Sequence, residues 1–200
     1  MCTVGCLMFG IRNLCLDDVA GREVIEVGSC EVFGSLRPFV ESWGPKSYLG
    51  VDIVLCTEVL EHTRNWRKVV SNLKNLCRPG GILLVTTRSR GFHYHAYPHD
   101  FWRYETEDIR HIFSDLDIVQ VERDPRDPGV FVKAVRPDRF VEKDLSGFPL
   151  YSVVTGKRTI EIGEADFRSL HFLRVRYRIR KKELKKKFKA AIRSWFSSII

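Results

Sequence analysis

Histidine and aromatic residues are concentrated between residues 89 and 104. His93 and His95 are separated by a single residue, and Tyr97 and His99 follow closely. Imidazole titrates near neutral pH, so a histidine in this segment can take a proton from a hydroxyl or an amine. We therefore predict that His93, His95 and Tyr97 are the catalytic residues, which position an acceptor or remove its proton.

The same segment, residues 89–104, is called the histidine loop below and allows two other interpretations. A His-x-His pair with a third histidine four residues later is compatible with a metal site, but few carboxylates accompany it. We therefore predict no metal site. In the other interpretation, the aromatic side chains pack as a lid over a sheet and carry no chemistry.

Glu26, Gly28, Ser29 and Cys30 form a second candidate group, at the end of a short apolar segment rich in β-branched residues. A glycine at such a turn lets a ligand approach the backbone, and a helix that follows directs N–H groups at an anion. Asp52 could accept two hydrogen bonds from ribose hydroxyls. These residues predict a nucleotide-type crevice, whereas a plain strand-to-helix turn and an acid that ends a strand are the alternatives.

Alternating strands and helices are expected to position these side chains. The apolar runs predict strands within 21–28, 48–56 and 82–87, and helices over 34–43 and 57–77, the second broken near 63–65. Further along, a capped helix is predicted over 106–113, an antiparallel hairpin over 118–123 and 130–135, and a smaller hairpin within 150–162. This order is typical of an α/β fold with a mostly parallel sheet of five or six strands and helices on both faces.

Charge is distributed unevenly along the chain. The net charge is +8, but residues 168–193 contain twelve Lys or Arg and one Glu, so this segment carries +11 and the remainder carries −3. Apolar residues recur at helical spacing within it, among them Leu184, Phe188 and Ile192. A basic amphipathic helix favours an anionic membrane surface or nucleic acid as a partner, unless its apolar stripe packs on its own domain or on a second subunit.

Composition excludes several classes of protein. Hydrophobic residues make up 44% and charged residues 29%, which excludes a disordered or collagen-like chain. No apolar run approaches the roughly 20 residues of a membrane-spanning helix, and the first residues do not resemble a secretory signal. The six cysteines contain no CxxC pair, so we expect reduced thiols and a cytoplasmic protein, peripheral to a membrane if the basic segment binds lipid.

Two stretches are the most specific part of the sequence, CTEVLEH at 56–62 and RPGGILL at 78–84. Together with Glu26, Gly28 and Asp52 they resemble class I S-adenosylmethionine-dependent methyltransferases, in particular the methyltransferase type 11-like group. The resemblance covers about residues 20–135 and includes the histidine loop. It implies a Rossmann-like α/β domain over 1–140, followed by a small hairpin extension over 141–166 and a basic amphipathic helical tail over 167–200.

The resemblance also implies roles for individual residues. Glu26, Gly28 and Ser29 match the motif that holds the methionine and ribose parts of S-adenosylmethionine, and Cys30 stands where the motif usually has its second glycine. Asp52 matches the acid that holds the ribose hydroxyls.

Further along the chain, Thr57 and Glu58 match the end of the strand that lines the crevice near the methionine and the acceptor.

One departure from the family concerns the chain after Asp52. In the family, a helix and a further strand separate the ribose acid from the E-V-L-E-H segment, and a crossover of this kind needs at least about a dozen residues. Here Asp52 runs directly into the strand before Glu58, so Asp52 is either the ribose acid or the aspartate that opens the later strand. We infer an internal deletion of about one strand–helix unit, which removes the segment that contacts adenine.

The sequence therefore predicts methyl transfer from S-adenosylmethionine to a small-molecule, glycan or lipid-like acceptor. The alternative is a degenerate, non-catalytic module of the same fold, attached to a membrane surface or to nucleic acid through residues 168–193.

Overall fold

The computed structural model describes residues 4–27, 40, 42–44, 52–95 and 99–197. Its strands are β1 (Val24–Val27), β2 (Ile53–Thr57), β3 (Ile82–Arg88), β4 (Trp102–Arg103), β5 (Asp117–Arg123), β6 (Gly129–Val135), β7 (Leu150–Ser152) and β8 (Arg158–Thr159). Its α-helices are α1 (Val4–Asn13), α2 (Leu16–Val19), α3 (Trp66–Leu76), α4 (Thr106–Ile112) and α5 (Leu170–Ser197). Short 3-10 turns lie at Leu60–His62 and Glu164–Arg168.

A five-stranded sheet in the order β1-β2-β3-β6-β5 forms the centre of the fold. β1, β2 and β3 are parallel, β6 is antiparallel to β3, and β5 is antiparallel to β6. β2 is buried along its whole length, which explains its unbroken apolar sequence. The predicted α/β class and the hairpin over 118–135 are therefore confirmed. Most of the helix predicted over 34–43 lies outside the described residues.

Helices cover both faces of the sheet, as predicted. Successive residues of β2 point to opposite faces, so Ile53 and Leu55 pack with α1, whereas Val54 packs with α3 and α4. α1 is not predicted by the sequence pattern, because Gly5 and Gly10 lower the helix propensity of this segment. The structure shows why position 5 requires a glycine. A Cβ atom there would lie 2.3 Å from a carboxylate oxygen of Asp124.

The R-P-G-G turn connects α3 to β3 and fixes the start of the parallel strands. Gly80 adopts a left-handed conformation (φ +73°), which a glycine adopts without strain. A Cβ on Gly81 would lie 2.8 Å from both the Asp52 carbonyl oxygen and the Cys77 Sγ atom. α3 itself begins after Asn65, whose side chain accepts a hydrogen bond from the backbone N–H of Lys68. The break predicted near 63–65 is therefore confirmed, but the α-helix predicted from residue 57 to that break is wrong, because Thr57 ends β2 and Leu60–His62 form a 3-10 turn.

A second, antiparallel sheet in the order β4-β7-β8 joins the histidine loop to the predicted hairpin extension. The indole N–H of Trp102 on β4 donates to the Thr63 carbonyl oxygen at 3.1 Å, which holds this sheet against the turn after β2. The first turn of α5 also belongs to the core, because Phe172 is buried and packs edge-to-face against Tyr94 and Phe167. No helix in the described part of the chain is long and apolar enough to cross a membrane.

Candidate functional site

The carboxyl ends of β1, β2 and β3 meet at one edge of the sheet because the three strands are parallel. Ligands of open α/β sheets bind at this edge. Thr57 ends β2 and is paired with Thr86 of β3, and the E-V-L-E-H turn and the histidine loop follow these two strands. Glu58 has a φ of +57°, a strained left-handed conformation for a residue other than glycine, and such strain is concentrated at functional sites.

Glu58 is buried and is held by groups of the protein itself. One carboxylate oxygen accepts a hydrogen bond from the Cys6 thiol of α1 at 3.1 Å, and the other forms an ion pair with the guanidinium of Arg88. Arg88 in turn lies 3.4 Å from a carboxylate oxygen of Asp124 and 4.4 Å from the ring centroid of Phe92. The Glu58 side chain is only 2% exposed. Its exposure therefore does not support the sequence prediction that Glu58 lines a cofactor crevice.

Burial dominates the electrostatics of Glu58. Desolvation, together with the nearby Glu61 carboxylate, raises the pKa of Glu58 from 4.5 to about 8, although Arg88 and the Cys6 thiol act in the opposite direction. The pKa of Arg88 is raised by its carboxylate neighbours in spite of burial. The edge of the sheet thus contains a charge cluster that is sensitive to pH near neutrality.

Glu61 lies one turn beyond Glu58 and is fully buried. Its Oε2 atom accepts a hydrogen bond from the Thr87 hydroxyl at 2.8 Å. Its Oε1 atom is buried and has no hydrogen-bond partner among the described residues. The Nε2 atoms of His62 and His95 lie 3.9 Å and 3.8 Å from this oxygen.

The predicted catalytic residue His95 is oriented by a buried acid. Its Nδ1 atom lies 2.9 Å from an oxygen of Asp100, and the two oxygens of Asp100 accept hydrogen bonds from Arg103 at 2.5 and 2.7 Å. Burial opposes the ionisation of Asp100, but the hydrogen bonds from Arg103 and His95 outweigh it and hold the pKa of Asp100 well below its usual value. Asp100 is therefore ionised at neutral pH and lies behind the His95 ring.

The other two predicted catalytic residues are placed differently. His93 stacks on Phe92 with ring centroids 4.6 Å apart, and its carbonyl oxygen accepts a hydrogen bond from Arg103. Its ring is thus beside the His95 ring, at a centroid distance of 6.0 Å. Tyr97 lies outside the described residues.

The predicted cofactor residues of the first strand are only partly described. Glu26 lies in β1 beside Leu55 of β2 and is partly exposed. Gly28, Ser29 and Cys30, which follow β1, lie outside the described residues. Thr57, at the end of β2, is fully buried.

Asp52 lies at the opposite edge of the sheet, and this corrects its assignment as the acid that holds the ribose hydroxyls. It immediately precedes β2, at the amino ends of the parallel strands. One carboxylate oxygen accepts a hydrogen bond from the backbone N–H of Glu23 at 2.5 Å, and the other pairs with Arg78. Asp52 is therefore the aspartate that opens a strand, the second of its two sequence interpretations.

Sequence reasoning did not single out Glu61, Asp100 or Arg88 as functional residues. Two features of the sequence could have pointed to Glu61 and Asp100. Glu61 follows Glu58 at a spacing of about one helical turn, and Asp100 directly follows His99. Neither feature shows that the two segments meet, because His62 and His95 are 33 positions apart in the sequence.

Both a family profile and solved structures of known proteins are similar to this chain. Residues 17–121 match a family profile described as a methyltransferase domain. The fold is similar to that of an S-adenosylmethionine dependent methyltransferase from Listeria monocytogenes, with a TM-score of 0.50 and 10% identity over 66% of this chain and 98% of the other. At this identity, the similarity concerns the fold alone. No curated protein matches the chain significantly.

Two other solved structures are similar at lower scores. One is the 1,6-didemethyltoxoflavin-N1-methyltransferase of Burkholderia thailandensis with bound 1,6-didemethyltoxoflavin and S-adenosylhomocysteine, at 12% identity over 67% of this chain and 77% of the other, with a TM-score of 0.47. The other is an S-adenosylmethionine-dependent methyltransferase from Clostridium acetobutylicum, at 10% identity over 68% of this chain and 93% of the other, with a TM-score of 0.46.

Proposed function

Because the chain belongs to the methyltransferase-domain family that its residues 17–121 match, we propose that it transfers a methyl group from S-adenosylmethionine to a small-molecule, glycan or lipid-like acceptor. The observation that supports this most strongly is the meeting of the E-V-L-E-H turn and the histidine loop at the carboxyl edge of β2 and β3. This is the edge at which open α/β sheets bind ligands.

Methyl transfer requires the protein to align the acceptor with the methyl group and to remove the proton of the acceptor. The acceptor oxygen or nitrogen attacks the sulfonium methyl group, the carbon–sulfur bond breaks, and S-adenosylhomocysteine leaves. The proton of the acceptor passes to the Nε2 atom of His95, while Asp100 keeps the ring oriented through Nδ1. His93 and Tyr97 are the further candidates for positioning the acceptor.

We assign cofactor binding to Glu26, Gly28, Ser29, Cys30 and Thr57. All five lie in, or directly follow, the two strands whose carboxyl ends are adjacent. Asp52 is left out because it lies at the other edge of the sheet, and Glu58 holds the edge together through Cys6 and Arg88.

An open depression of about 530 Å³ beside the histidine loop is our candidate for the acceptor site. Its lining combines two arginines and one glutamate with aromatic and apolar groups, namely Arg90, Phe92, Arg103, Glu105, Tyr151 and Val153. Arg103 connects this depression to His95, since Asp100 binds both. Arg103 is paired with Asp100, so Arg90 and the two aromatic rings favour a polar acceptor with a flat or apolar portion.

A second candidate function is a non-catalytic binding module of the same fold. Two observations favour it: Asp52 does not reach the cofactor edge, and the Glu58 carboxylate is occupied by Cys6 and Arg88. This module would act through its tail and not through methyl transfer.

The tail offers such an attachment surface. Leu173, Tyr177, Leu184 and Phe188 on α5 are each about half or more exposed, and their spacing places them on one side of the helix among basic residues. Apolar residues flanked by Lys and Arg bind the surface of a membrane that contains anionic lipid. We therefore assign the tail to an anionic membrane surface, with nucleic acid as the competing outcome.

Calorimetric titration with S-adenosylmethionine separates the two functions. The enzyme requires saturable binding that Glu26→Ala weakens at least tenfold. Asp52→Asn is the matched control, because an acid at the opposite edge leaves the affinity unchanged. If no heat is released at millimolar cofactor, the result contradicts methyl transfer and supports the non-catalytic module. If Asp52→Asn abolishes binding, our placement of the cofactor is wrong.

A further inference from the structure

Three side chains with metal-binding atoms converge where β2 ends. Glu61 and His62 belong to the 3-10 turn, and His95 belongs to the histidine loop. One ligand atom from each lies within 4.8 Å of the other two. From this geometry we infer, contrary to the sequence prediction of no metal site, that Glu61, His62 and His95 form a binding site for a divalent transition-metal ion.

The Glu61 carboxylate is oriented as a metal ligand would be. Its Oε2 atom is fixed by the Thr87 hydroxyl, and its buried Oε1 atom has no hydrogen-bond partner among the described residues. A buried carboxylate oxygen without a partner is costly, because it has lost its hydration. A cation between Oε1 and the two imidazoles would remove this cost.

The two histidines present the correct nitrogen to the same point. Nδ1 of His62 lies 2.5 Å from the His99 carbonyl oxygen, and Nδ1 of His95 lies 2.9 Å from Asp100. Carbonyl and carboxylate oxygens only accept hydrogen bonds, so each Nδ1 carries a proton, and Nε2 is the nitrogen left to bind an ion. Histidine ligands of metals have this arrangement, in which the second ring nitrogen donates to a carbonyl or carboxylate.

Direct hydrogen bonds between these histidines and Glu61 do not explain the cluster. The Nε2 atoms are 3.9 Å and 3.8 Å from Oε1, beyond the range of about 2.7–3.2 Å for an N–H···O hydrogen bond. Ligands at about 2.1 Å from a tetrahedral ion lie about 3.4 Å from one another. Each of the two histidine-to-carboxylate distances therefore needs to shorten by only about 0.5 Å for both groups to bind one ion.

The donor set indicates which ions would bind. Two imidazole nitrogens and one carboxylate oxygen suit Zn²⁺, Fe²⁺, Co²⁺ or Mn²⁺ better than Ca²⁺ or Mg²⁺. The side chains of His62 and His95 are 17% and 18% exposed, so an ion there can be reached from solvent and can take a further ligand. A bound ion would occupy the His95 lone pair that the metal-free protein would use for proton removal.

Cobalt(II) titration of the full, chelator-treated chain tests the site without any methyl transfer, so its outcome is independent of the proposed function. We expect visible d–d absorption that saturates at one Co²⁺ per chain and is displaced by Zn²⁺. Glu61→Gln keeps the shape of the side chain and should weaken binding by more than about 100-fold, and Asp100→Asn by about 10–100-fold. His62→Asn, at a more exposed position, repeats the test if Glu61→Gln does not fold by circular dichroism.

His111→Ala is the matched control, because this histidine lies on α4 and stacks on Phe148. Its affinity for Co²⁺ should equal that of the unmodified chain. The site is refuted if no saturable band appears, or if the Glu61 and His62 variants bind as tightly as the unmodified chain. A strong near-ultraviolet sulfur-to-cobalt band would place the ion on cysteine and would also refute it.

Discussion

Arg88→Met tests how the carboxyl edge of the sheet is held together. The substitution keeps an unbranched side chain but removes the cation that pairs with Glu58, contacts Asp124 at 3.4 Å and lies over the Phe92 ring. Removal of one partner of a buried ion pair costs about 3–5 kcal/mol of folding free energy. Glu58, with a pKa of about 8, is mostly protonated at pH 7, so the variant there mainly removes the cation beside Asp124, and we expect the lower value, about 3 kcal/mol.

The loss of folding free energy caused by Arg88→Met should increase above pH 8. The pKa of Glu58 in the folded protein, about 8, lies above its ordinary value of 4.5, so its contribution to stability is complete below pH 4.5 and is lost as the pH rises to about 8. In the intact protein this loss levels off above pH 8. Without Arg88 the pKa of Glu58 rises further, and the free energy of unfolding continues to fall by about 1.4 kcal/mol per pH unit. The difference between the two proteins at pH 9 should thus be about 4 kcal/mol.

Urea denaturation at pH 6, 7 and 9 measures these differences. The double variant Arg88→Met/Glu58→Gln is the control, because it lacks the group that takes up the proton and should lose the steeper dependence on pH. A loss below about 1 kcal/mol at pH 7, or equal pH dependences for the single and double variants, would refute the assignment of a stabilising buried charge cluster.

Three further predictions concern other parts of the chain. Gly81→Ala should lower stability by about 1–3 kcal/mol, because its Cβ would lie 2.8 Å from backbone and sulfur atoms, and an unchanged thermal midpoint would contradict the tight packing of this turn. Burial raises the pKa of the Cys77 thiol to about 11, so iodoacetamide at pH 8 should modify the exposed Cys15 much faster than Cys77. Peptide mass spectrometry would measure both rates, and equal rates would contradict the burial of Cys77. Reversal of three exposed charges on α5 to glutamate should abolish sedimentation with phosphatidylserine vesicles, whereas unchanged sedimentation, or binding to RNA alone, would refute the membrane assignment. The three residues are Lys181, Lys185 and Lys189.

The sequence by itself determined the order and type of most elements around the site. Continuous apolar runs identified β2 and β3, and the Arg78-Pro79-Gly80-Gly81 turn marked the boundary between helix and strand. These features are local, since they depend on the periodicity and backbone preferences of neighbouring residues. α1 was not predicted because its two buried glycines lower helix propensity, and one of them, Gly5, is required by the close approach of Asp124.

Tertiary structure alone decided which edge of the sheet each acid reaches. Asp52 fitted two positions in the sequence, and only the parallel pairing of β1 with β2 shows that it lies at the amino edge. Likewise, Glu61 and His95 are 34 residues apart, and their 3.8 Å approach depends on the return of the chain from the end of β3. A side chain's local sequence sets its chemistry, but its partners across the sheet are set by strand order and register, which arise from contacts between distant segments.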